Sequence, residues 1–129
     1  MNTMYRCLVL TLALCASALP AVAQVQRNFP QDALRGDITI GIPPVISVNG
    51  RSAQLAPGAR IRDMNNMLAL SASISGARFT AHYTIDSGGQ VKDVWILRPD
   101  ELAIKPWPST PQEAAAWAFD PAAQTWTKR

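Results

Sequence analysis

Two rhythms divide this 129-residue chain. From Cys7 to Leu19 apolar residues run almost unbroken, interrupted only by Thr11 and Ser17. From Asp37 onward the period is two. Ile38, Ile40 and Ile42 alternate with Asp37, Thr39 and Gly41, the pattern of a half-buried strand, and Pro43-Pro44 ends it. Val45-Ile46-Ser47-Val48 then leads into Asn49-Gly50. Both turn residues tolerate positive φ, which predicts a type I′ hairpin with a return strand over 51–55. Ala56-Pro57-Gly58-Ala59 predicts a second turn, of type II. Ile61 and Met67 to Leu70 add short apolar segments around Asn65-Asn66. The small, polar stretch from Ser71 to Ala77 reads equally as a strand edge or a loop.

The clearest alternation comes next. Phe79, Ala81, Tyr83 and Ile85 share one face of a strand, and Arg78, Thr80, His82 and Thr84 the other. Asp86-Ser87-Gly88-Gly89 makes a turn and 90–97 returns. A glycine bulge there would set Ile85 against Val91, Ala81 against Trp95 and Phe79 against Leu97, with Tyr83 opposite Asp93.

Beyond Leu97 the rhythm is lost. Pro99, Pro106, Pro108, Pro111 and Pro121 exclude a central strand. Thr110-Pro111-Gln112-Glu113 is a capping box with proline at the first helical position, which predicts a short helix over 111–119. Trp107, Trp117, Phe119 and Trp126 would fasten this tail to the sheet. The expected fold is therefore mainly β: a small antiparallel sandwich or open barrel of about five or six short strands, with a short C-terminal helix.

The first rhythm has its own meaning. One basic residue, Arg6, precedes the apolar run, and Pro20 and the small-residue triplet Ala21-Val22-Ala23 follow it, the order of a secretory signal peptide cleaved after Ala23. At thirteen residues the run is shorter than the ~20 that span a bilayer. Leu12-Ala13-Leu14-Cys15 has the outline of a lipoprotein box. Bulky Leu14 stands where a small residue belongs, so the expectation is release into the periplasm or medium rather than a lipid anchor at Cys15. The expected organisation is a leader (1–23), a flexible arm (24–36), a β domain (37–98) and a Pro/Trp-rich tail (99–129).

Both cysteines, Cys7 and Cys15, lie in the leader, so the expected mature chain has no disulfide and no thiolate chemistry. Loss of Arg6 lowers the formal charge from +3 to +2, too little excess to argue for nucleic acid. Locally the balance differs. Arg51, Arg60, Arg62 and Arg78 face one acid, Asp63, between residues 51 and 78, a patch able to attract an anionic polymer.

A resemblance can be stated on particular residues. The run Asn49-Gly50-Arg51-Ser52-Ala53-Gln54-Leu55-Ala56-Pro57-Gly58-Ala59-Arg60-Ile61-Arg62, with Asn65-Asn66 and Val94-Trp95-Ile96-Leu97, resembles a family of small exported proteins of Gram-negative bacteria of the Burkholderia and Bordetella type. It extends over roughly residues 29–126. The family is uncharacterised, so the resemblance implies an envelope or periplasmic location and no activity. Phe79 to Leu97 is also similar to the strand-turn-strand of energy-transducer C-terminal domains, a match confined to one hairpin.

Candidate chemistry is sparse. One histidine, His82, cannot assemble a zinc or copper site, and Asp86, Asp93, Asp100 and Glu101 are too dispersed for calcium. A nucleophilic device would need Ser71, Ser73 or Ser75 beside His82 and Asp86. Yet His82 sits between two threonines on the polar face, and turn preference already accounts for Asp86. Asp100-Glu101 after Pro99 suits a first helical turn, and Gly88-Gly89 lacks the lysine of a phosphate loop. No catalytic, cofactor or metal residue is assigned. Trp107, held in Lys105-Pro106-Trp107-Pro108, and the four arginines are the candidate contacts for a partner or ligand. The expected function is a non-enzymatic accessory or protein-interaction module of the envelope. The alternative is a glycan- or anionic-polymer-binding module using Trp107 and the arginines, and a small hydrolase centred on His82 ranks third.

Overall fold

The computed structural model describes residues 26–129, so the leader, its cleavage site and Cys15 lie outside the described residues. Six strands come first: β1 (Leu34–Ile40), β2 (Val45–Val48), β3 (Arg51–Arg62), β4 (Leu68–Ala69), β5 (Arg78–Ile85) and β6 (Val91–Ile96). Helices α1 (Pro99–Leu102) and α2 (Pro111–Ala116) follow, then a small hairpin of β7 (Ala118–Asp120) and β8 (Thr125–Thr127).

The first sheet runs β2-β1-β5-β6-β3 and closes on itself through a β2–β3 pairing, with β4 added at the far end of β3. The expected mainly β fold is thus a closed five-stranded barrel plus one strand. β1, β2 and β3 form an antiparallel meander, and β5 returns to lie beside β1, a Greek key. The seam between β3 and β6 is parallel. Two ends follow from these directions. The β2–β3 and β5–β6 turns and the start of β1 share one end, the turn end. The β1–β2 connection, β4 and the 63–77 connection share the other, the loop end.

Alternation fills the barrel. Leu34, Ile38, Ile40, Ile46, Leu55, Ile61, Ala81, Tyr83, Val91 and Val94 point inward and are buried. Asn49 (φ 53) and Gly50 (φ 81) adopt the left-handed conformations that the β2–β3 turn requires. Asn49 also ties this turn to β1, its Oδ1 accepting from the Asp37 N–H at 2.9 Å. Gly36 is small for the same reason: a Cβ there would come within 3.1 Å of the Tyr83 ring and closer still to the Asn49 amide.

Several local expectations are corrected. β1 starts at Leu34 and stops at Ile40, leaving Ile42 in the connection at 82% exposure. No type II turn breaks β3 at Pro57-Gly58. The strand continues to Arg62, absorbing the irregularity as a register shift between Leu55 and Arg60, with Gly58 at φ 77. In the β5–β6 hairpin Ile85 does face Val91, but the bulge falls immediately after, between Thr84 and Ile85. Tyr83 therefore meets Val94, and Ala81 meets Ile96. This register puts apolar on apolar where Tyr83 had been expected to oppose Asp93. Ser71–Ile74 is a 3₁₀ turn whose Ile74 packs on the barrel core. α2 ends at Ala116, because Phe119 is needed in β7. The Thr110 half of the expected capping box is present, Oγ1 accepting from the Glu113 N–H at 3.2 Å. The Glu113 carboxylate accepts from the Ser109 and Thr110 hydroxyls rather than from the Thr110 backbone.

A second core lies outside the barrel, on the outer face of β5 and β6. Phe29, Ala33, Leu97, Trp107 and Trp126 are buried there, with Trp95, Trp117 and Phe119 packed around them. The tail and residues 26–33 supply most of this layer. Arg27 and Phe29, in the segment expected as an arm, are both buried.

Candidate functional site

The second core surrounds His82. Strand alternation turns Ala81 and Tyr83 into the barrel and His82 outward, as the sequence pattern required. The tail then covers that outward face, so His82 is 1% exposed rather than solvated. Its ring stacks on Trp107 with centroids 4.0 Å apart and meets Phe29 edge-on at 4.3 Å. Arg35, from β1, donates through Nε to His82 Nε2 at 3.1 Å. That bond places the ring proton on Nδ1, which is buried without a hydrogen-bond partner. Burial, and then the charges of Arg35 and Arg27, push the His82 pKa down to about 2. The imidazole is neutral throughout the physiological range, and its basic nitrogen is occupied by Arg35.

Around it the polar groups satisfy one another. Arg27 Nε donates to Glu101 Oε2 at 2.9 Å, and its Nη2 pairs with Oε1 of the same carboxylate. The guanidinium also donates to the carbonyls of Asp63 at 2.9 Å and Ile96 at 2.7 Å. Arg35 reaches the Ile104 and Glu101 carbonyls at 2.9 and 3.0 Å, and burial lowers its pKa, partly offset by Glu101. Trp107 Nε1 donates to the Ala33 carbonyl at 3.0 Å. These bonds tie the 26–33 segment and β1 to α1, to the stretch from Ile104 to Trp107, to β6 at Ile96 and to the β3–β4 loop at Asp63. A cleft of 260 Å³ remains between Arg27, Phe29, His82, Arg98, Glu101 and Trp107. No serine, threonine or cysteine lines it, and among the described residues no group of His, Asp or Glu is placed to hold a metal. The arrangement is a clamp.

The residues singled out in the sequence are dispersed by the fold. Trp107 is core: its face lies against His82, and Phe29, Phe119 and Trp126 approach it edge-on, so it is no surface anchor. Arg51 follows the β2–β3 turn at the turn end, whereas Arg60 and Arg62 close β3 near the loop end. Arg62 lies over Trp95 at 5.6 Å and 3.7 Å from Asp93. Arg78 opens β5 across from Thr39 and lies 3.9 Å from Asp37. Two of the four arginines, Arg62 and Arg78, thus lie beside aspartates, and Arg51 stands at the opposite end of β3 from Arg60 and Arg62.

The feature that sequence reasoning missed is apolar. Among the described residues seven large hydrophobic side chains are prominently exposed, and six belong to the loop end: Ile42, Val45, Met64, Met67, Leu68 and Leu70. Ile85 alone is at the turn end. Two of the contributing segments are joined there, since Gly76 N–H bonds the Ile40 carbonyl at 2.7 Å and Ser75 Oγ bonds the Gly41 carbonyl at 2.8 Å. The signal was present in Met67-Leu68-Ala69-Leu70. Its apolar character suits a core as well as a contact face, and only the fold distinguishes them. Among the described residues no helix is long and apolar enough to cross a membrane. Comparison with protein-family models, with curated proteins and with solved structures finds no match.

Proposed function

We propose that this chain is a non-catalytic interaction module of a Gram-negative envelope, exported by its leader, and that it docks through the loop end of its barrel. The observation that carries the reading is the gathering of six exposed apolar side chains on that end. Apolar patches of this kind mark contact sites when a monomer has no other use for them. The leader and the resemblance to small exported proteins support the location. The state of His82 supports a role other than catalysis, because a histidine held neutral and already accepting from Arg35 has no free base to offer. Glycan or polyanion binding has weaker support, with Trp107 enclosed and Arg62 and Arg78 beside aspartates.

Affinity capture from detergent-solubilised envelope tests the reading. Wild type should retain a specific component that an Ile42→Ser variant releases, at low and high salt alike, because apolar contacts are not screened. Equal recovery by both proteins, or recovery only of salt-sensitive polymer, contradicts it.

A further inference from the structure

Closing the barrel removes the edges of its five strands, and β4 is left as the outermost strand of that sheet. It pairs with β3 through Ile61↔Ala69 and Arg62↔Leu68, and the Asp63 N–H donates to the Met67 carbonyl at 2.8 Å. In an antiparallel ladder consecutive residues turn their backbone groups to opposite sides. Met67 and Ala69 therefore face β3, and the N–H and C=O of Leu68 face away from the sheet. Further along, the edge is already in use: the Leu70 carbonyl accepts from Ser73 N–H at 3.0 Å and Ser73 Oγ at 2.7 Å. What β4 offers is one donor and one acceptor on a single residue, with Leu68 at 69% exposure and Leu70 at 76% on the same outward side.

Resting on the reading that the loop end is a contact face, we infer that the occupant of the β4 edge is a second copy of this chain. Across a twofold axis at Leu68, the N–H of one copy meets the C=O of the other, and the reverse, so both exposed groups are satisfied by the smallest closed pairing. A long extended peptide would find the edge blocked at Leu70. Apolar side chains suit the same geometry, since Leu68 meets its own counterpart while Met64, Met67 and Leu70 surround the axis. At 46–76% exposure these four supply much of the ~800 Å² that a standard interface buries per partner. Charge does not oppose it. Asp63 Oδ1 is held in its own loop by the N–H groups of Asn65 and Met67, at 2.9 and 3.0 Å, and Arg62, Arg78 and Arg98 each lie beside an aspartate. Ile42 and Val45, across the loop end, stay available to an envelope partner.

Sedimentation equilibrium of the full chain over a wide concentration range, with amide exchange at Leu68, tests this. Wild type should be dimeric, and its Leu68 amide should gain protection with concentration. Leu68→Lys should weaken the dimer by roughly thirty-fold or more, as for a central interface residue, while Ile85→Lys at the turn end leaves it intact. Circular dichroism confirms that both variants are folded. A wild type that stays monomeric overturns the inference, whether its Leu68 amide exchanges freely or is protected at every concentration. So does a dimer that Leu68→Lys leaves unchanged. A monomer that still loses its envelope partner on Ile42→Ser would overturn the dimer alone and leave the interaction module standing.

Discussion

The outer face of β5 and β6 and the loop end of the barrel both present apolar side chains, and the chain treats them in opposite ways. Over the first it lays its own tail. Four of the residues that mark the tail as unusual, Trp107, Trp117, Phe119 and Trp126, are spent on covering His82, Trp95 and Phe29. Over the loop end none of the described residues is laid, and Met67, Leu68 and Leu70 are exposed. An aromatic-rich, proline-punctuated tail has the look of a docking surface, yet here it is internal cladding. Four ordinary aliphatic and thioether side chains around a short edge strand are the ones left exposed.

The contrast can be broken most forcefully at Trp107. Replacing it with Ala removes the ring that His82 stacks on and the hydrogen bond to Ala33, and should cost about 3–5 kcal/mol, the usual range for a buried tryptophan. Urea unfolding measures this directly. A loss below about 1 kcal/mol would mean that the tail is not part of the cooperative core.

A smaller effect should come from acid. Native His82 remains neutral far below the unfolded value near 6.5, so the unfolded chain binds the proton more tightly. The stability that depends on the neutral ring is fully present above about pH 6.5. It declines as the pH falls toward the folded value, by up to ~1.4 kcal/mol per unit. Unfolding measured at pH 7 and pH 5 should show this slope in wild type and lack it in His82→Gln, where no imidazole titrates. Parallel slopes in the two proteins would sink the assignment of the acid sensitivity to His82.

The smallest effect sharpens the other side. Leu70→Ser should change stability by no more than ~0.5 kcal/mol, because the side chain is exposed and packs on little. A loss of several kcal/mol would show Leu70 to be structural, and the loop end would then resemble the clad face after all.

Much of the fold is legible in residue order because its signals are local. Strand alternation in 78–85, the Asn49-Gly50 turn and the Thr110 N-cap each act within a few residues, and each is present where it was read. The register of β5 on β6 was missed by one residue because a bulge can sit on either side of Ile85, and only barrel closure selects which. Nor did any spacing reveal the clamp. Arg27 and Glu101 are 74 residues apart, and Arg35 and His82 are 47 apart.

By itself, then, the sequence determined most of the strands before Leu97, where most of them turn, and that no cysteine lies from Gln24 onward. By contrast, β7 and β8 fell in a stretch read as helix and tail. Tertiary structure decided which of two apolar faces is covered. The physical reason is that a strand's pattern specifies two faces but says nothing of what will lie against each. His82 reads as polar surface until the tail buries it, and Leu68 reads only as part of a short apolar segment until the closed barrel leaves it at the edge.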